Sequence, residues 1–379
     1  MKTTTTLLKF YDKDTLKNIA AVLSLKPKKI VYLYDKGMTD LSGFRSLGKC
    51  FQRNLPGLKI DIYAVDILSV GEISRTAIRI IEKEGVDGCS MELTGGSELM
   101  MVAGYKAAAA MGIPLLYTDL VGHRILDLSN DQEVCPVSIL TLEDFLDAKG
   151  ACLMGESHQA PEVERYDAIL KMAKFLFRHL SEWKTTCSFL QVVAASQPPQ
   201  ERRINSKETV TMKNGKKVSV DGRILREFEK NGFITGLVFA DGRVRFSFCS
   251  LEEKGYCINY GVWLELYVYV AAAKSGAFAD VKLGTMIDWD AYDGVAIAGN
   301  EIDVILMENS LPIFISCKLR DADTAAINEL LVAKKRLGGW FSKGVIVTFS
   351  MEKRENTSTY KRAKELGLEC EILTNKELE

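Results

Sequence analysis

From residue 7 to about residue 146 the chain alternates strand-like and helix-like segments joined by short connections, a pattern that points to a parallel α/β sheet covered by helices. Leu7–Phe10, Lys29–Tyr34, Leu58–Val65, Gly88–Leu93 and Ile113–Thr118 read as strands. Helices are predicted through Leu16, Ile19, Ala20 and Leu23, over Leu41–Phe51, over Ile73–Glu84 and over Glu98–Met111, where Gly112-Ile113-Pro114 punctuates the end. A length of 379 residues with 47% hydrophobic side chains supports two or three such cores.

The loop Thr94-Gly95-Gly96-Ser97 joins the carboxyl end of one predicted strand to the amino end of a helix. Free backbone N–H groups and the helix dipole favour an anion there. Gly95 and Gly96 let a ligand approach the backbone, and Thr94 and Ser97 add hydroxyl groups. Lys36, in the loop after another strand, can supply a positive charge. The plainer reading is a tight turn with a helix cap.

A second constraint lies near the carboxyl end. Gly299–Met307, a turn at Glu308–Leu311, and Pro312–Lys318 read as a β-hairpin. With an even-numbered loop, Asp303 faces Ser316 and Glu301 faces Lys318. Alternation then predicts these four polar groups on one face, and Ile302, Val304, Ile315 and Cys317 on the other. A carboxylate and an ammonium within strands this apolar are costly unless they have partners or a chemical role. The plainer reading is a buried structural Asp/Lys pair.

An acid on one strand and x-Lys on the next resemble the PD-(D/E)xK nuclease core, preceded by an apolar helix from Gly261 that carries Glu265 and followed by a helix over Ala325–Leu337 and a strand over Gly344–Phe349. The resemblance implies a divalent metal, Mn²⁺ or Mg²⁺, held by acids on a scissile phosphate, with the lysine positioning or deprotonating the attacking water. Asp303 and Lys318 take those roles. The family's second acid is here Ser316, so another carboxylate must complete the site: Glu265, Glu301 or Glu329. Met91-Glu92-Leu93-Thr94-Gly95-Gly96-Ser97-Glu98-Leu99-Met100-Met101 likewise resembles the CRISPR-associated Rossmann fold (CARF) signature, with Glu98 where a lysine is frequent.

Together the two stretches resemble the CARF nucleases of type III CRISPR systems. That resemblance implies a cyclic oligoadenylate activator, chiefly the tetra-adenylate ring, bound across a homodimer, and metal-dependent cleavage of single-stranded RNA or DNA or of plasmid. The expected fold is a Rossmann-like parallel sheet followed by an α/β restriction-endonuclease-like domain. The expected boundaries are 1–150 for the CARF-like domain, 151–200 for a helical linker, 201–255 for a small helix plus β-hairpin segment and 256–379 for the nuclease domain.

The linker is predicted to carry one helix from Pro161 to Leu180, bridging domains or packing on a second copy. The third segment, with hairpins around Asn214-Gly215 and Asp241-Gly242, is winged-helix-like and raises a rival: a ligand-responsive, DNA-binding transcription regulator without nuclease activity. Ser316 raises another, a decayed nuclease serving only in assembly. A net charge of -1 argues against a broad charge-driven coat of nucleic acid, so contacts must be local. Three histidines (His123, His158, His179) make a histidine-rich metal site an unpromising expectation. Nine cysteines without a CxxC pair, no apolar run of membrane-spanning length and no signal-like amino terminus lead us to expect a cytoplasmic protein.

Overall fold

The computed structural model describes residues 4–292, 300–319, 322–350, 358–374 and 376. Gly299, the first residue of the predicted hairpin stretch, lies outside them. The amino-terminal part runs β1 (Thr6–Phe10), α1 (Thr15–Leu25), β2 (Lys29–Asp35), α2 (Ser42–Asn54), β3 (Lys59–Val65), α3 (Val70–Glu84), β4 (Cys89–Glu92), α4 (Glu98–Met111), β5 (Leu115–Asp119), β6 (Arg124–Asp127), β7 (Gln132–Pro136) and α5 (Leu142–Lys149). Its sheet has the order β3-β2-β1-β4-β5-β6-β7, parallel from β3 to β5 and antiparallel beyond. Helices cover both faces, so adjacent residues such as Leu7 and Leu8 enter different cores and both are fully buried. The strand order reverses between β1 and β4, which opens a crevice at their carboxyl ends, the usual place for a ligand in such a sheet.

The remainder runs β8 (Cys152–Glu156), α6 (Tyr166–Arg178), α7 (Leu180–Ala195), β9 (Arg203–Lys207), β10 (Thr209–Thr211), β11 (Lys217–Ser219), α8 (Gly222–Lys230), β12 (Ile234–Ala240), β13 (Arg243–Phe248), α9 (Leu251–Ile258), α10 (Val262–Ser275), β14 (Asp280–Asp288), β15 (Asn300–Glu308), β16 (Leu311–Lys318), α11 (Thr324–Ala333), β17 (Lys343–Phe349), α12 (Ser358–Glu365) and β18 (Glu369–Leu373). A second sheet has the order β18-β17-β16-β15-β14-β8, with α10 against one face and α11 against the other. Its edge strand β8 comes from the stretch read as a helical linker.

The helix expected from Pro161 to Leu180 is the shorter α6, which begins at Tyr166 and ends at His179, where φ is -129° and ψ 40°, before α7 starts. Its stripe enters one core: Ile169, Ala173 and Phe177 pack with Trp263, Leu266 and Val270 of α10 and with Ile224 and Phe228 of α8. The reason is that α10 is apolar nearly all round and needs a second helix on its outer side.

The two halves share a core. Phe145 and Leu146 of α5 pack with Ile305, Met307 and Phe314 of the second sheet. The tip of the β15–β16 hairpin is part of this junction. Ser310 is buried with φ 73°, its Oγ donates to Ser138 O at 2.9 Å, and it accepts from Leu140 N at 2.9 Å. A type I′ two-residue hairpin turn requires left-handed φ at both positions, and Asn309 (47°) and Ser310 supply them.

Candidate functional site

The hairpin has the predicted register: Val304 pairs with Ile315 and Glu308 with Leu311, which carried one step further sets Asp303 against Ser316. The ladder stops at Val304, and the Asp303 carboxylate takes over. Its Oδ2 accepts from Cys317 N at 2.6 Å, from Lys318 Nζ at 3.1 Å and from Ser316 Oγ at 3.4 Å. Burial pulls the Lys318 ammonium down, but the charge of Asp303 and its hydrogen bond outweigh that and hold it above its ordinary value. Asp303, Ser316, Lys318, Glu301 and Glu329 line one niche of about 30 Å³, room for roughly one water.

The predicted division of faces needs correction. Val304, Ile315 and Cys317 enter the core on the α10 side, whereas Ile302 enters the core on the α11 side. On the neighbouring strand Leu283 and Ile287, which should also share a face, divide the same way. The cause lies between them. Gly284, in the left-handed region at φ 54°, and Asp303 form no ladder pair, although Leu283 pairs with Val304 and Thr285 with Ile302 on either side. A Cβ on Gly284 would stand 2.3 Å from Ser157 Oγ, so only glycine fits. Both strands exchange faces at this step, and Glu301 is turned toward α10.

There Glu301 meets two other groups. Ligand atoms of His158, Glu265 and Glu301 all lie within 4.8 Å of one another. Glu265 Oε2 is buried and has no hydrogen-bond partner among the described residues. Burial, then the charges of Asp303 and Glu301, push its carboxyl up to about 8 against the opposing pull of Lys318. Asn259 fixes the histidine: its Oδ1 accepts from Gly261 N and Val262 N, which turns Nδ2 toward His158 Nε2 at 3.3 Å. Burial lowers the His158 imidazole, more than Glu301 and Asp303 raise it.

Among the sequence candidates, Asp303, Lys318, Ser316, Glu301 and Glu265 thus converge. Glu329 is exposed on α11 and lines the niche from the opposite side. The sequence reading missed His158. A lone histidine after a short strand carries no spacing signal, and only the pairing of β8 with β14 brings it here.

The Thr94–Ser97 loop lies in the crevice between β1 and β4. Beneath it Lys9 and Glu92, cross-strand neighbours and fully buried, form an ion pair. Lys9 Nζ donates to Thr94 O at 3.1 Å and Glu92 Oε1 accepts from Thr94 N at 3.0 Å and from Thr118 Oγ1 at 2.9 Å. Thr94 Oγ1 accepts from Thr118 N at 2.7 Å and donates to Thr118 O at 3.4 Å, so Thr94 supports the loop from below with its one hydroxyl proton already engaged. Ser97 caps α4 by accepting from Met100 N. Gly95 and Gly96 have φ of 114° and 75°. Gly96 N donates to the carboxylate of Asp12 at 3.0 Å, so this amide already holds an anionic group. Lys36 is exposed and paired with Asp66, at the end of β2, with β1 between it and the loop.

Residues 252–379 match the family model for the Card1-like endonuclease domain. No curated protein matches the chain in sequence at a significant level. Among solved structures, Can2 from Sulfobacillus thermosulfidooxidans, in complex with cyclic tetra-adenylate, aligns over 99% of this chain and 95% of its own with a TM-score of 0.69 at 18% identity. Protein VC1899 from Vibrio cholerae aligns over 98% of this chain and 94% of its own with a TM-score of 0.74 at 17% identity. A type III CRISPR defence DNA nuclease activated by cyclic oligoadenylate aligns over 96% of this chain and 50% of its own with a TM-score of 0.57 at 16% identity. Residues 252–379 thus resemble a Card1-like endonuclease domain, within a chain whose fold is similar to those of Can2, VC1899 and the type III CRISPR defence DNA nuclease.

Proposed function

We propose that this protein is a metal-dependent nuclease switched on by a cyclic oligoadenylate, acting as a homodimer in the cytoplasm in type III CRISPR defence. The observation that carries the catalytic half is the Glu265–Glu301–Asp303 cluster beside Lys318, inside a segment that matches an endonuclease domain. Three carboxylates this close repel one another, and one has a buried oxygen with no partner among the described residues, which suits a dication. Glu265, Glu301 and Asp303, with His158 as a nitrogen donor, would hold Mn²⁺ or Mg²⁺. Once bound, the metal supplies Lewis acidity and a more acidic water. Lys318, kept as an ammonium by Asp303, holds its positive charge where a scissile phosphate gains negative charge.

The amino-terminal half offers an anion site at the sheet's switch point, and a ligand phosphate would displace the Asp12 carboxylate from Gly96 N. Can2 was solved with cyclic tetra-adenylate, and another similar structure is of a nuclease activated by cyclic oligoadenylate. Leu99, Val102 and Tyr105 on α4 are 40%, 56% and 59% exposed, an apolar stripe at helical spacing that fits a second copy. A symmetric ring suits such a two-fold pairing. The hairpin tip seated on Ser138 and Leu140 gives a direct mechanical link from this half to Asp303 and Lys318.

The test is incubation of pure protein with Mn²⁺ or Mg²⁺, single-stranded RNA, single-stranded DNA and supercoiled plasmid, with and without cyclic tetra-adenylate. Cleavage is expected only with metal and ring together, and Asp303→Asn or Lys318→Ala should lower it at least about 100-fold while ring binding by calorimetry persists. Cleavage at wild-type rates in either variant removes the catalytic assignment. Sequence-specific duplex binding with no cleavage under any condition would instead favour the transcription regulator.

A further inference from the structure

The sheet built from β12, β13 and β9 has one face in the core and one in solvent. Ile204, Val244 and Phe246 point inward and are buried. The cross-strand pairs on the outer face are Lys207 with Arg243, Asn205 with Arg245, and Arg203 with Ser247. The third strand contributes Thr235, Val238 and Ala240 to the same face, opposite Ser247, Arg245 and Arg243. Four cations and no acid therefore occupy it. None of the four makes an ion pair with a described residue; Arg243 bonds only Asn205. We propose that this face is a docking platform for the phosphodiester backbone of the nucleic-acid substrate, an inference that rests on the nuclease reading above.

Two alternatives fit less well. Charged residues often protect sheet edges from pairing with other chains. Here, however, Arg243 and Arg245 lie on the central strand, which has no edge to protect. Solubility would be served by mixed charges, and the chain as a whole is mixed, with net charge -1. Placing like charges directly opposite, as Lys207 and Arg243 are, is unfavourable in the free protein. A polyanion relieves that repulsion and releases counterions as it binds.

Position agrees with the assignment. From the end of β13 the chain runs through the eight residues of α9, a rise of about 12 Å, to Asn259, whose amide faces His158. The platform is therefore joined through one short helix to the residue that positions His158. Backbone contacts of this kind carry no sequence information, so the platform predicts affinity without base preference.

The experiment uses the full chain carrying Asp303→Asn, with anisotropy of labelled single-stranded RNA, single-stranded DNA and duplex DNA between about 50 and 200 mM salt. Adding Arg203→Gln, Lys207→Gln, Arg243→Gln and Arg245→Gln should reduce the slope of log affinity against log salt by about 3, since each phosphate contact contributes about 0.7 to 0.9. The double variants on β9 and on β13 should each remove about half of that, which guards against misfolding of the quadruple variant. A control with Lys26, Lys28, Lys59 and Lys83 changed to Gln alters net charge equally at exposed positions of the amino-terminal half and should leave the slope nearly intact. An unchanged slope in the platform variants, equal losses in both sets, or stronger binding to phosphatidylserine vesicles or polyglutamate than to nucleic acid would overturn the proposal. If the wild-type chain cleaves nothing yet the platform variants lose their slope, the nuclease reading fails and the platform stands.

Discussion

Glu265→Gln gives the sharpest check on the acidic cluster. Folding moves the Glu265 carboxyl from its ordinary 4.5 to about 8, first by burial and then by the neighbouring carboxylates. The sign follows from linkage: the folded state keeps a proton that the unfolded chain releases, so this group's contribution to stability is complete below pH 4.5 and is lost as pH rises to 8. At about 1.4 kcal/mol per pH unit, the metal-free protein loses about 3 kcal/mol by pH 7 and about 5 kcal/mol by pH 9. Glutamine has the same shape and never ionises, so its amide penalty offsets the curve without tilting it. Thermal unfolding in chelator from pH 5 to pH 9 should show the variant gaining on wild type by an amount on the order of 10 °C. Adding Mn²⁺ near pH 8 should raise the wild-type Tm and leave the variant nearly unmoved. Parallel curves across that pH range would mean that Glu265 ionises as an ordinary surface acid, and the argument for a strained cluster would be refuted.

His158→Ala should weaken Mn²⁺ binding at least about tenfold, the loss typical when a group supporting a metal site is removed; calorimetry at one pH reads this directly, and equal affinity takes His158 out of the site. Ser316→Glu should preserve or raise metal-dependent cleavage, because the new carboxylate enters beside Asp303 and Lys318, and a loss of rate in a normally folded variant would show that the niche has no use for another acid. Gly95→Asp or Gly96→Asp should block activation by the ring, since any side chain at Gly96 meets Phe10 Cβ at 2.7 Å and one at Gly95 meets Asp12; ring titrations that match wild type would place the ligand elsewhere.

Much of the architecture was legible in the residues alone. Strand–helix alternation locates the amino-terminal elements from β1 to β5, because burial on both faces demands apolar runs and the helices between them keep their period. The hairpin register was legible for a similarly local reason: a two-residue turn sets the pairing of everything beyond it. Elements with weak periodicity were not legible. Strand β9 has one buried apolar residue, Ile204, and β8 depends on its partner β14.

The local sequence thus singled out the candidate groups: Asp303 and Lys318 on adjacent strands, and the glycine pair ahead of α4. Tertiary structure decided their company. The exchange of faces at Gly284 and Asp303 turns Glu301 toward Glu265, and an edge strand from a distant stretch adds His158. A sheet joins residues by register across the chain, and an electrostatic field depends on distance through space. The buried oxygen of Glu265 and its shifted proton therefore follow from the assembled fold.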